Sequence, residues 1–113
     1  MVKLDNKLKP KKIKIGILGG SFDPAHKGHL AISKEAHKKF NWKSIIWAIT
    51  NQNPFKKKTS NSLKKRINYC KKIIRNHRFI KVKYFEDLID SNRTTDLIDY
   101  LYNIRKYELF FLI

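Results

Sequence analysis

The chain has 113 residues, 26 of them Lys or Arg against 9 Asp or Glu, with 42% hydrophobic and 12% aromatic residues, a balance that excludes a disordered chain and points to one domain with a genuine core. The longest apolar runs, residues 45–49 and 109–113, fall far short of the roughly 18 residues that a membrane-spanning helix needs. Lys3, Lys7, Lys9, Lys11 and Lys12 crowd the first residues with no apolar stretch behind them, which is not the pattern of a secretory signal. The single Cys70 has no partner for an internal disulfide, in keeping with an expected cytoplasmic location.

A formal net charge of +17 raises the question of nucleic acid, because clustered lysines release counterions from phosphates. Of the basic residues 21 are Lys and 5 Arg, and Lys, Asn and Ile together make up 45 of the 113 residues, which reads as a general compositional bias. Arg forks and interleaved aromatic platforms are not concentrated anywhere, so no specific nucleic-acid partner and no membrane partner is expected. The charge is uneven: residues 1–83 hold 23 basic and 3 acidic side chains, and residues 84–113 hold 3 and 6. A basic first part attracts an anionic ligand such as a nucleotide.

In chain order, residues 1–12 read as a basic flexible arm ended by Pro10. Ile13, Ile15, Ile17 and Leu18 form a β-branched run into a tight turn at Gly19-Gly20. Asp23 followed by Pro24 predicts an N-cap with Pro at the first helical position, and a helix from about Pro24 to Phe40 whose Ile32, Ala36 and Phe40 pack on a sheet, with His29 on that face. Residues 44–49 are apolar almost throughout, as in a strand covered on both sides. A long polar loop from Thr50 to Ser62 leads to a helix marked by Leu63, Ile67, Cys70 and Ile74 and capped by Ser60 or Ser62. Ile80 and Val82 mark a third strand, Leu97, Leu101 and Ile104 a third helix after a loop through Asp90 and Ser91, and residues 109–113 a fourth strand. The order βαβαβαβ predicts a parallel sheet in a three-layer, Rossmann-like α/β fold, with ligands beyond the carboxyl ends of the strands, where Gly19, Gly20 and Asn51 fall.

The chemistry concentrates in Gly19-Gly20-Ser21-Phe22-Asp23-Pro24-Ala25-His26-Lys27-Gly28-His29-Leu30, at the junction of first strand and first helix. Glycines let a backbone approach phosphate closely, and the free N–H groups and positive end of the following helix favour anions. Neither the Gly-Lys-Ser/Thr of a Walker A loop nor G-x-G-x-x-G is present. His26 and His29, three residues apart on the first helical turns, would project together beside this phosphate cradle and donate hydrogen bonds to a polyphosphate. A zinc site would need further ligands, and neither a Glu in an H-E-x-x-H frame nor a Cys pair is near.

This block resembles the signature of the nucleotidylyltransferase superfamily, and its form Gly-Gly-x-Phe-Asp-Pro-x-His-x-Gly-His-Leu is similar to that of the bacterial nicotinate-nucleotide adenylyltransferases. Asn51-Gln52-Asn53-Pro54 followed by lysines resembles the loop after the second strand of those enzymes, Arg66 falls where they often carry an Arg, and Thr94-Thr95-Asp96 resembles their Ser-x-Thr-x-Asp-Thr segment. The resemblance covers roughly residues 13–113. It implies transfer of the adenylyl group of ATP to nicotinate mononucleotide, giving deamido-NAD and pyrophosphate in NAD biosynthesis, with Mg²⁺ held mainly by the nucleotide phosphates.

By the same resemblance His26 and His29 carry catalysis and contact ATP phosphates. Gly19, Gly20, Ser21, Phe22, Lys56 and Lys57 serve the nucleotide, and Asn51, Asn53 and Thr94 the second substrate. For Asn51, Asn53 and Arg66 a loop cap or a surface charge is an equal alternative. Family members continue past the fourth strand with a Gly-Ala-Asp-like turn and an Ile-Ser-x-x-x-Arg motif, neither of which is in this sequence. Residues 13–113 are therefore expected to be an incomplete nucleotidylyltransferase domain, an N-terminal portion weak or inactive on its own. The alternatives are another nucleotidylyltransferase, or an inactive fragment that at most binds nucleotide.

Overall fold

The computed structural model describes residues 13–51, 62–91 and 93–112. Along the chain it places strand β1 (Ile13–Gly20), helix α1 (Lys27–Phe40), strand β2 (Ser44–Ile49), helix α2 (Leu63–Ile73), strand β3 (Ile80–Lys83), a one-turn helix α3 (Glu86–Ile89), helix α4 (Thr94–Asp99) with a π-helical turn (Tyr100–Ile104), and strand β4 (Tyr107–Leu112). All pairings are parallel, in the order β3-β2-β1-β4. β1 is thus central, with Ile17 opposite Ile46 on one side and Phe111 on the other.

The strands are apolar because both faces of the sheet are covered. Ile45, Trp47 and Ile49 alternate with Ile46 and Ala48 along β2, and the two sets enter different cores. Leu18, Trp47, Ile80, Ala36 and Cys70 meet on the face that carries α1 and α2. Ile15, Ile17, Ile46 and Ala48 meet Leu101, Leu97 and Phe85 on the other. This is the three-layer α/β arrangement expected, with β2 at the expected residues.

Several local expectations are corrected. The strand does not stop at a glycine turn: Gly19 and Gly20 remain in β1, paired with Ala48 and Ile49, and the left-handed backbone conformation falls on Phe22 at φ 51°. Asp23 is not the cap of α1 and Pro24 is not its first residue, because a cis Asp23-Pro24 peptide lies in a turn and the helix starts at Lys27 with His26 as its N-cap. Ile32 and Phe40 do not face the sheet but are 42% and 51% exposed, and Ser33 and Ala36 are buried in their place. Ser33 is satisfied in that buried position by hydrogen bonds with the Trp47 indole and the His29 carbonyl.

α2 is capped by Ser62, whose hydroxyl accepts from the Lys65 N–H at 3.2 Å. The third predicted helix is divided between α4 and the π-helical turn, in which Arg105 N–H reaches the Tyr100 carbonyl, and α3 is an additional, unexpected turn of helix before the Asp90-Ser91 loop. That turn keeps Leu101 buried and leaves Ile104 71% exposed, so Ile104 is not a core position. The 1–12 arm, the cap at Ser60, and Asn53, Lys56 and Lys57 lie outside the described residues.

Candidate functional site

β1 and β2 end side by side, and their carboxyl ends are tied where Thr50 N–H donates to the Gly20 carbonyl at 2.9 Å. A Cβ on Gly19 would meet only the Ala48 carbonyl, at 4.0 Å, so the missing side chain leaves open space over the strand end. A backbone approach by a ligand needs such room. The chain then turns at Phe22, whose ring is 2% exposed and stacks on Trp47 at 5.1 Å. Phe22 thus has its ring in the core beneath the turn. Its left-handed backbone, costing about 1–3 kcal/mol for a non-glycine residue, is held by that burial.

The two histidines form the start of α1. His26 Nδ1 accepts from the Gly28 N–H at 3.0 Å, and His29 Nδ1 accepts from the His26 N–H at 3.0 Å. This is the reciprocal pattern of a capping box, built from imidazoles in place of a hydroxyl and a carboxylate. The spacing explains Gly28: a Cβ there would stand 2.8 Å from His26 Cε1 and 2.9 Å from its Nδ1. The ring centroids lie 4.0 Å apart, and His29 also packs on Phe22 at 4.6 Å.

Because each Nδ1 accepts, the neutral rings carry their protons on Nε2, and the Nε2–H groups are the donors left to a ligand. Burial, with the charge of His26 beside it, holds the His29 imidazole below its ordinary value of 6.5. At neutral pH that ring is uncharged and keeps its cap.

Trp47 anchors the helix from below. Its indole N–H donates to Ser33 Oγ at 2.8 Å, and Ser33 Oγ–H donates to the His29 carbonyl at 2.9 Å. Trp47 and Ser33 are both 0% exposed, so this chain of bonds fixes the histidine-bearing turn against the sheet.

On the other side Arg66 reaches up from α2. It is 1% exposed; Nη1 donates to the carbonyls of Ser21 at 2.8 Å and Thr50 at 2.7 Å, and Nη2 to that of Asn51 at 2.8 Å. Arg66 is thus not the surface charge offered as an alternative: it clamps the two strand ends together. The Asn51 N–H in turn donates to Glu86 Oε1 at 3.0 Å.

Of the residues expected at the site, the structure brings together Gly19, Gly20, Ser21, His26, His29 and Asn51 around the ends of β1 and β2. Phe22 lies in the core beneath them. Thr94 opens α4, and its side chain is not among those described. Sequence reasoning missed Ser33, Trp47 and Glu86. The only signal for Ser33 was a polar residue one turn after His29, and none marked Glu86 apart from the acidic turn of the charge distribution.

A family model described as cytidylyltransferase-like matches residues 17–105, from the middle of β1 to the end of the π-helical turn. The chain belongs to the cytidylyltransferase-like family. It is 58% identical over 112 residues to a probable nicotinate-nucleotide adenylyltransferase of Pelagibacter ubique, covering 99% of this chain and 62% of that protein. It is 33% identical over 84 residues to a protein of the same description from Ruegeria, covering 74% and 44%. Among solved structures, the Plasmodium falciparum nicotinic acid mononucleotide adenylyltransferase complexed with NaAD superposes with a TM-score of 0.70 at 25% identity, covering 89% of this chain and 51% of that one. The chain spans about a third to three fifths of the length of the relatives it matches. The residues matched to the cytidylyltransferase-like family include the His26-Lys27-Gly28-His29 turn.

Proposed function

We propose that this chain carries the nucleotide site of a nicotinate-nucleotide adenylyltransferase. In that reaction a phosphate oxygen of nicotinate mononucleotide bonds to the α-phosphorus of ATP. The bond from that phosphorus to the bridging oxygen breaks, and pyrophosphate leaves with the electron pair. The observation that carries the reading is the paired imidazoles at the start of α1, 4.0 Å apart with each Nδ1 committed to the backbone. Two Nε2–H donors beside an open strand end are suited to the charge that gathers on a polyphosphate as the bond breaks.

No covalent intermediate and no general base is required, since the attacking phosphate is already anionic. The chain's contribution is placement and charge stabilisation. The glycine strand end and the Ser21 turn receive the phosphates, His26 and His29 donate to them, and the lysines of the segment after β2, Lys56 and Lys57, add positive potential. Asn51, with Asn53, receives the acceptor mononucleotide, and Thr94 is assigned to its nicotinate end.

Among the described residues no three His, Cys, Asp or Glu side chains gather as a metal cage. In this reading Mg²⁺ comes with the substrate as ATP·Mg²⁺, neutralising the triphosphate. The identity of the Pelagibacter relative and the NaAD named with the Plasmodium enzyme support this choice of substrates.

The test is isothermal titration of ATP·Mg²⁺ into the chain and into two variants that keep the cap and lose the ring. His26→Asn retains an N-cap oxygen, and His29→Gln retains an acceptor at the third helical position. Each is expected to weaken binding by about tenfold, or 1.4 kcal/mol. Equal affinity for the chain and both variants refutes the role of the imidazoles, and pyrophosphate release with a different acceptor nucleotide in place of nicotinate mononucleotide refutes the substrate.

A further inference from the structure

Asn51 is the first residue after β2 to leave the sheet, and its peptide is held from two directions. Its carbonyl accepts from Arg66 Nη2 at 2.8 Å, and its N–H donates to Glu86 Oε1 at 3.0 Å. A guanidinium on α2 and a carboxylate on α3 thus fix the two polar groups of one exposed residue. Loop residues in such positions ordinarily leave these groups to water. Charge-assisted bonds at both ends are stronger and more directional than water contacts.

The two grips differ in reach. Arg66 also holds the carbonyls of Ser21 and Thr50, so it ties the phosphate turn to the β2 end. The Glu86 bond reaches only the segment after β2. Glu86 is held in turn by its own helix, where Ile89 N–H donates to the Phe85 carbonyl at 2.9 Å and Ser91 N–H to the Glu86 carbonyl at 3.1 Å.

Resting on the reading above, in which the segment after β2 receives the acceptor, we propose that Glu86 is a positioning residue for the acceptor mononucleotide. It locks the Asn51 backbone, so that the Asn51 side chain, whose Oδ1 accepts from Arg66 Nη2 at 3.4 Å, is presented from a fixed place, while the triphosphate depends on the turn and the histidines. Glu86 acts by accepting the Asn51 N–H bond and not by contact with the ligand, whose phosphate its charge would repel. Arg66, by its longer reach, positions both ligands.

The experiment titrates nicotinate mononucleotide and ATP·Mg²⁺ separately into the chain, Glu86→Ala and Glu86→Gln, with amide hydrogen exchange at Asn51 followed in each. Glu86→Ala is expected to weaken nicotinate mononucleotide by about tenfold and to leave ATP·Mg²⁺ within about twofold. Glu86→Gln, which keeps an acceptor oxygen, should hold both within about threefold and keep Asn51 exchange slow. Alanine and glutamine variants that behave alike, or an alanine variant that loses both ligands or neither, overturn the positioning role. A wild-type chain that takes up neither ligand overturns the proposed function itself. Unaltered exchange at Asn51 in Glu86→Ala overturns the lock whatever the ligands do.

Discussion

Replacing Ser33 by Ala tests the bond that seats the histidine turn on the sheet. Ser33 and Trp47 are both 0% exposed, and the variant leaves the Trp47 indole N–H without the Oγ that now accepts from it at 2.8 Å. A buried donor stripped of its partner costs about 1–3 kcal/mol. The His29 carbonyl loses only a supplementary donor, and Ala is the better helix former by about 0.5 kcal/mol, which offsets part of the loss. The expected net destabilisation is about 1–2 kcal/mol, a fall in Tm of about 4–8 °C for a domain of this size. Urea and thermal unfolding of Ser33→Ala, Trp47→Phe and the double variant close a cycle. The double variant should be less destabilised than the sum of the singles by about 1 kcal/mol. A coupling near zero would mean that Ser33 is a small residue fitting a tight space and that the hydrogen bond contributes nothing.

Gly28→Ala sets two effects against each other: a Cβ 2.8 Å from His26 Cε1 displaces the capping ring at a cost of about 1 kcal/mol, and Ala in place of Gly in a helix returns about the same. Stability by urea unfolding should change by less than about 0.5 kcal/mol, while titration of ATP·Mg²⁺ shows affinity several-fold weaker. His29 lies below 6.5 in the folded chain, so between its lowered value and 6.5 the unfolded chain binds the proton that the native ring refuses. Stability therefore falls as pH drops through that window and is fully present above it, and urea midpoints of His29→Gln should show a flatter pH profile there. Burial pushes the Cys70 thiol up to about 11, partly opposed by the Arg66 guanidinium. Labelling with a thiol reagent at pH 8 should be about two orders of magnitude slower in the folded chain than in urea.

The sheet was the legible part of this protein. Residues 44–49 could only be a strand buried on both faces, and the alternation of strands with helices dictated parallel pairing. What escaped the sequence had local physical causes. Asp23-Pro24 carries the usual signature of a helix start, yet the cap is a histidine, a residue whose ring nitrogen serves as acceptor only in one tautomer. The packing face of α1 was misplaced because Ile32 and Phe40 are the apolar residues, whereas Ser33 earns its burial through Trp47. At the site, the histidine pair and the glycines could be named in advance because they are close in sequence. Arg66 and Glu86 meet Asn51 across 15 and 35 residues, and no periodicity reports a side chain that seeks a distant carbonyl or amide.

The strand order has a consequence for how the chain is made. β1 is made before the other described strands but sits inside the sheet, and the partner for one of its edges is β4, the last of them along the chain. On the ribosome β1, β2 and β3 can assemble early, leaving the Ile13–Gly20 backbone bare along one side until Tyr107–Leu112 emerges. At about 5–20 residues per second that interval, from the end of β3 to the end of β4, lasts on the order of 1 to 6 s. A bare apolar strand edge is the template on which chains pair wrongly. The strand that bears the phosphate turn is therefore itself open to intermolecular pairing during translation, and holdase chaperones that mask it would act in this interval.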